Sequence, residues 1–186
     1  MADALTLVVC GAPLAARAAD TTAALVEVGW RVTVVASPAG RSWLDAAAVE
    51  RVTGRPVLFD PRQPDQPAGE RANAVVACPL TMNSGSKSAT GVMDTYASGV
   101  LCDALAMRLP LTVVVIVSDR LWGHPAWAGH LRTFTAAGAR FVHPATGVVG
   151  HPEPVVSGTG AVVVARFDPA ALARAVGGPG SPGGSG

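Results

Sequence analysis

Four strand-length apolar runs constrain this chain more than any other feature. They are LTLVVC (Leu5–Cys10), RVTVVAS (Arg31–Ser37), ANAVVACP (Ala72–Pro79) and LTVVVIV (Leu111–Val117). A strand with one wet face alternates apolar and polar residues; these runs are nearly continuous, so both of their faces must be covered. Helix-type patterns lie between them: Ala15–Val28, Ser42–Gly54 with a closing glycine, one long segment Asn83–Met107, and His124–Gly138. Strands alternating with helices predict an α/β domain, a parallel sheet with helices on both faces. PVLF (Pro56–Phe59) and RFV (Arg140–Val142) read as short further strands, and AVVVARFDPAALARAV (161–176) as a strand followed by a terminal helix. Asp60–Arg71 is a polar, proline-rich loop. GGPGSPGGSG (177–186) is low-complexity, which predicts a single domain over 1–176 and a disordered tail over 177–186.

Composition removes several function classes. Hydrophobic residues make up 49% and charged residues 15%, with a mean hydropathy of +0.37. No run reaches the roughly eighteen apolar residues of a membrane span. The apolar surplus points instead to subunit interfaces. Net charge is +1, and the arginines form no basic cluster around the single lysine, Lys87, so nucleic acid is a poor partner. Cys10, Cys78 and Cys102 are odd in number and lie in apolar runs, which predicts buried reduced thiols and no metal site. MADALTLVVC lacks the basic n-region of a signal peptide, so a cytoplasmic location is expected.

In open parallel sheets, ligands sit beyond the carboxyl ends of the strands, near the point where strand order reverses. That rule selects Gly11–Ala12–Pro13, Ser37–Gly40 and Pro79–Ser84. No GxGxxG or GxxxxGK[ST] is present, so a dinucleotide or P-loop triphosphate site is not supported. A single phosphate still suits a helix N-terminus flanked by hydroxyls, where free N–H groups and the dipole both favour an anion. The start of the long helical segment is unusually rich in such groups: Thr81, Asn83, Ser84, Ser86 and Ser88. Residues of this kind compete with the helix backbone, so they serve either as a long cap or as ligand groups.

Pro79-Leu-Thr-Met-Asn-Ser84 resembles the PASANT motif of the homo-oligomeric flavin-containing cysteine decarboxylases, and Lys87, Ala89, Gly91 and Asp94 match the helix that follows it. Arg120-Leu-Trp-Gly-His-Pro-Ala126 is similar to the end of that family's PxMNxxMW motif and the Asn-Pro-Ala after it. With VVCGA and VVAS at the first two strands, the likeness runs from about residue 5 to about 143. It implies a flavodoxin-like, Rossmann-type domain that binds FMN at a subunit interface, as a homotrimer or a multiple of trimers. The cofactor residues it implies are Gly11, Ala12, Ser37, Thr81, Met82, Asn83, Ser84 and Ser98. Ser118, Arg120 and Trp122 are the implied substrate contacts, for a small molecule or peptide with a cysteine-like thiol.

This sequence also departs from the family. Val115 and Ser118 stand where the family's Pro and its carboxylate-holding Asn would fall, and Asp65 stands where its catalytic His is expected. No cysteine follows Pro144 to serve as a substrate-loop thiol. Asp65 and Asn83 remain the catalytic candidates, although a loop Asp with a pKa near 4 is a weak base for a thiol. UbiX-like flavin prenyltransferases share the architecture, and Met82 is similar to their version of the motif. Trp122 and Trp127 read as core or interface aromatics ahead of flavin-stacking ones. Two functions are expected: a flavin-dependent decarboxylase or oxidoreductase with an altered substrate, or a non-catalytic FMN-binding regulatory or partner subunit. An apo relative whose polar cap holds an anion or water is a third.

Overall fold

The apolar runs pair into one five-stranded, all-parallel sheet in the order β2-β1-β3-β4-β5. The strands are β1 (Ala4–Val9), β2 (Arg31–Ala36), β3 (Ala74–Leu80), β4 (Leu111–Val115) and β5 (Arg140–Phe141). This is the flavodoxin-like order, with its reversal between β1 and β3. The computed structural model describes residues 3–61, 65 and 70–180. Every residue of β3 and β4 is buried, which is why those strands carry no polar alternation.

Successive residues serve opposite layers. Leu5, Leu7 and Val9 pack with α1 (Ala18–Glu27), α2 (Ala46–Thr53) and α8 (Pro169–Val176). Val8 and Cys10 pack with α4 (Tyr96–Ala106) and α6 (Trp127–Ala136) on the other face. Cys78 belongs to the first layer and Cys10 to the second, so the two thiols lie on opposite faces of the sheet and are free. Trp127 is the largest fully buried side chain, and its indole closes on Gly85. Truncating an aromatic so placed costs about 3–5 kcal/mol.

Several expected elements are reshaped by tertiary context. The long segment Asn83–Met107 is two helices, α3 (Met82–Ala89) and α4, rather than one. Gly91 adopts φ +77° after α3, and a new start is built where Thr95 and Ser98 form a reciprocal capping box. The expected strand at Ala161–Val164 is helical instead, within α7 (Gly160–Arg166). The edge beyond β4 is already filled by β5, and α7 packs on the 3-10 turn Pro13–Arg17, where Arg17 Nη1 donates to the Val164 carbonyl at 2.9 Å. Strand propensity yields here to packing. PVLF contributes only a bridge, Leu58 to Val35. Gly54 closes α2 in the left-handed conformation, as expected. A short helix, α5 (Asp119–Trp122), had no signal in the pattern. At the C-terminus, Trp30 Nε1 donates to the Gly177 carbonyl at 2.7 Å, and residues 181–186 lie outside the described part of the chain.

Candidate functional site

The reversal between β1 and β3 opens a crevice at the carboxyl ends of the strands. A cavity of about 550 Å³ occupies it. That size is within the range of small-molecule and cofactor sites. All three loops selected from the sequence line it: Gly11–Pro13 after β1, Ser37–Ala39 after β2, and Thr81–Ser84 after β3. Ile116–Ser118, after β4, form a fourth side.

Each loop is shaped by its own local chemistry. A Cβ on Gly11 would stand 2.6 Å from Ala39 Cβ and 2.7 Å from the Ala39 backbone, so glycine is required here to seat one loop on the other. Ser37 caps the 3-10 turn Pro38–Ser42: its Oγ accepts from Gly40 N at 3.1 Å, and its own N–H donates to the Val9 carbonyl at 2.9 Å. Ser37 is therefore a cap whose other side faces the cavity.

The start of α3 is different. Thr81 sits at the cap position in extended geometry, yet its side chain makes no capping bond. An α-helix leaves its first N–H groups without intrahelical partners. Here those of Met82, Asn83 and Ser84 are left beside the cavity. Asn83 is exposed, whereas Ser84 is buried. Below them is Cys10; burial pushes its thiol pKa up, while the Ser84 hydroxyl and Thr81 backbone within hydrogen-bonding reach pull it partly back.

The polar run thus divides in two. Thr81–Ser84 face the cavity, but Ser86 Oγ pairs with His130 Nδ1 at 2.9 Å and Ser88 Oγ donates to the Ser84 carbonyl at 2.9 Å. The later serines serve the α3–α6 contact and the helix itself.

Other residues singled out in the sequence lie elsewhere. Ser98 is 1% exposed and spends its hydroxyl within the Thr95 capping box, so it does not line the cavity. Arg120 is exposed on α5, and Trp122 packs edge-on against Trp127 with centroids 6.0 Å apart; neither lines the cavity. Asp65 is an exposed turn residue outside the lining. Ser118 does line it.

Three features escaped sequence reasoning, and a fourth, Lys87, was read only as a match to the family's helix. Trp43, 47% exposed, stands at the cavity beside the β2 loop, and Leu121 stands there from α5. Lys87 is the only lining residue with an ionisable side chain among the described residues, and its Nζ is 2.6 Å from Asp94 Oδ2. The Lys87 ammonium holds the Asp94 carboxyl below the usual carboxylate range. Finally, Val155–Gly158 and Gly160 close a fifth side.

The order 2-1-3-4-5, with a cavity of apolar walls and clustered hydroxyls at its switch point, defines a flavodoxin-like α/β domain with a mononucleotide-sized site. The Flavoprotein family model matches residues 2–163, and the chain belongs to that family. The bifunctional coenzyme A biosynthesis protein CoaBC of Mycobacterium bovis is 29% identical over 144 residues, covering 75% of this chain and 34% of the relative. The CoaBC protein of Thermococcus kodakarensis is 28% identical over 126 residues, covering 64% of this chain and 31% of the relative. The chain spans about a third of the length of these curated relatives. Among solved structures, the FMN-dependent cysteine decarboxylase TvaF from thioviridamide biosynthesis superposes with a TM-score of 0.65 at 21% identity, covering 76% of this chain and 90% of that one. A PPC decarboxylase mutant complexed with pantothenoylaminoethenethiol gives 0.67 at 16% identity, covering 89% and 96%. These structural likenesses establish the shared fold.

Proposed function

We propose that the cavity holds FMN and that the chain is a flavin-dependent enzyme acting on a cysteine-like thiol, with a substrate different from those of its relatives. The observation that carries this reading is the start of α3. Thr81 leaves its side chain uncommitted, and the unpaired N–H groups of the first turn open beside the cavity. Neutral donors of this kind suit one phosphate and the polar edge of a flavin. No second glycine fingerprint for an adenylate half is present, which favours FMN over FAD. Gly11, Ala12, Ser37, Thr81, Met82, Asn83, Ser84 and Ser118 would hold the group, against the apolar surface of Trp43, Ile116 and Val117.

Bound flavin supplies two-electron oxidation of a thiol. The chain's part is to bind, to orient and to keep water out. Ser118 offers a hydroxyl at the β4 end, where a substrate carboxylate would be positioned. Lys87 is tied to Asp94 by an ion pair at the edge of the cavity.

The lack of any other ionisable group among the described lining residues favours a second reading, a non-catalytic FMN-binding regulatory or partner subunit. Purified protein released from its flavin and refilled with FMN tests the common ground, because binding should bring stoichiometric absorbance near 450 nm; a protein that takes up no flavin refutes both readings. Adding cysteine-terminated peptides or phosphopantothenoylcysteine to the loaded protein then separates them: bleaching of the flavin or CO2 release supports the enzyme. Exposed Val92, Met93 and Met107 support assembly into a homotrimer or a multiple of trimers, which light scattering would overturn by returning 18.7 kDa.

A further inference from the structure

The fifth side of the cavity is not part of the sheet-end loops. It is a strap, Val155–Gly160, that arrives from the far side of β5 and crosses the open end between β4 and β1. Its two ends are fastened differently. At the β4 end, Val155 pairs in parallel with Ser118: Val155 N–H donates to the Val117 carbonyl at 2.8 Å, and Asp119 N–H donates to the Val155 carbonyl at 2.8 Å. At the β1 end, Gly160 is pressed on Pro13, where an added Cβ would stand 2.7 Å from Pro13 Cγ.

One side chain completes the β4 fastening. Asp119 Oδ1 accepts from the Ser157 N–H at 3.0 Å, from the Ser157 hydroxyl at 2.5 Å, and from the Arg120 N–H at 2.9 Å. The carboxylate therefore joins the first turn of α5, which also presents Ser118 and Leu121 to the cavity, to the strap that presents Val155–Gly158. Beyond the backbone pairing at Val155, the Ser157 part of the strap is held to α5 through this one oxygen. Charge-assisted acceptors of this kind are stronger than neutral ones.

We propose that Asp119 is a positioning residue, which latches the 155–158 strap to α5 and so holds the cavity wall closed over a bound ligand. The inference rests on the FMN reading for the identity of the ligand, but the latch is a property of the apo chain. It acts through the strap, so its removal changes how long a ligand stays more than it changes the fold.

Hydrogen exchange on apo protein reads the latch directly, without flavin. Asp119→Ala should speed exchange of the Ser157 amide at least tenfold, while amides of β1 and β3 stay protected. Asp119→Asn keeps an acceptor oxygen and should restore part of that protection. On FMN-loaded protein, Asp119→Ala should raise the flavin dissociation rate about tenfold with thermal stability nearly unchanged, and Asp119→Asn should fall between. Unaltered Ser157 exchange in Asp119→Ala overturns the latch. Faster exchange with an unaltered flavin dissociation rate overturns its role as a cavity wall. Wild-type protein that takes up no FMN refutes the cofactor reading instead, and the exchange result still decides whether the latch exists.

Discussion

Gly11→Ala isolates the contact that shapes the cavity floor. The glycine has an ordinary φ, so the substitution carries no backbone strain of its own and the effect is steric. The new methyl would lie 2.6 Å from Ala39 Cβ and 2.7 Å from both the carbonyl carbon and oxygen of Ala39, about 0.8 Å short of the 3.4 Å at which ordinary contact begins. Two of those three atoms are backbone and cannot rotate away. The loops after β1 and β2 must part. Overpacking of this size costs about 1–3 kcal/mol. For a chain of this length each kcal/mol shifts Tm by roughly 2–4 °C, so a fall of about 2–12 °C is expected. Separation of the two loops also breaks ligand contacts, and a polar atom left without its partner costs about 1–3 kcal/mol. That corresponds to a roughly five- to hundred-and-fifty-fold loss of FMN affinity. Thermal scanning and the ratio of flavin to protein absorbance read the two effects. Ala39→Gly in the same chain removes only the Cβ clash and should recover less than half of either loss. A Gly11→Ala protein with unchanged Tm and full flavin content would refute the reasoning.

Three further outcomes are expected. Asn83→Ala should release flavin while leaving Tm nearly unchanged, because the exposed side chain has a cavity to face; Ser86→Ala, which unpairs His130, should lower stability by about 1 kcal/mol and keep its flavin. Burial pushes the Cys10, Cys78 and Cys102 thiols up, and only Cys102 is partly exposed. An aromatic disulfide reagent should therefore titrate Cys102 slowly in the native protein and all three thiols in denaturant; fast reaction of Cys10 or Cys78 counts against the buried assignment. Asp94 and Asp119 both have lowered native pKa values, through Lys87 and Ser157 respectively. Their contribution is fully present above the usual carboxylate value of about 3.9 and is lost as pH falls through the lowered native values. Denaturant midpoints should drop below pH 4, and the drop should shrink in the Asp94→Asn, Asp119→Asn double variant.

The sheet was legible because burial on both faces writes itself into β3 and β4 residue by residue. The three loops followed from that sheet, since a parallel strand order fixes where its carboxyl ends point. What stayed hidden depends on partners distant in sequence. The valines at 162–164 look like a strand, and only the presence of β5 and the Pro13–Arg17 turn makes them helical. The break between α3 and α4 did have a local signal, Gly91 followed by the Thr95-x-x-Ser98 spacing, but the apolar period of the flanking turns masked it. Ser98 was drawn into the site by family likeness and is claimed instead by that cap. The strap had no apolar pattern because backbone bonds to Val117 and Asp119 hold it. Trp122 stands in the motif likeness and Trp127 just after it, yet the indole at the cavity is Trp43, hidden inside what read as a helix start.

That placement of Trp43 gives the molecule an optical property. Trp30 and Trp127 are buried and Trp122 is half-buried, so their emission reports mainly on the fold. Trp43 alone among the four is widely exposed to water at the rim of the cavity, and its emission should carry the red-shifted, quencher-accessible component of the spectrum. Iodide should extinguish that component in the empty protein and lose access to it when the cavity fills. The chain thus carries an intrinsic occupancy gauge, readable for colourless ligands as well as for flavin, with Trp43→Phe as its blank.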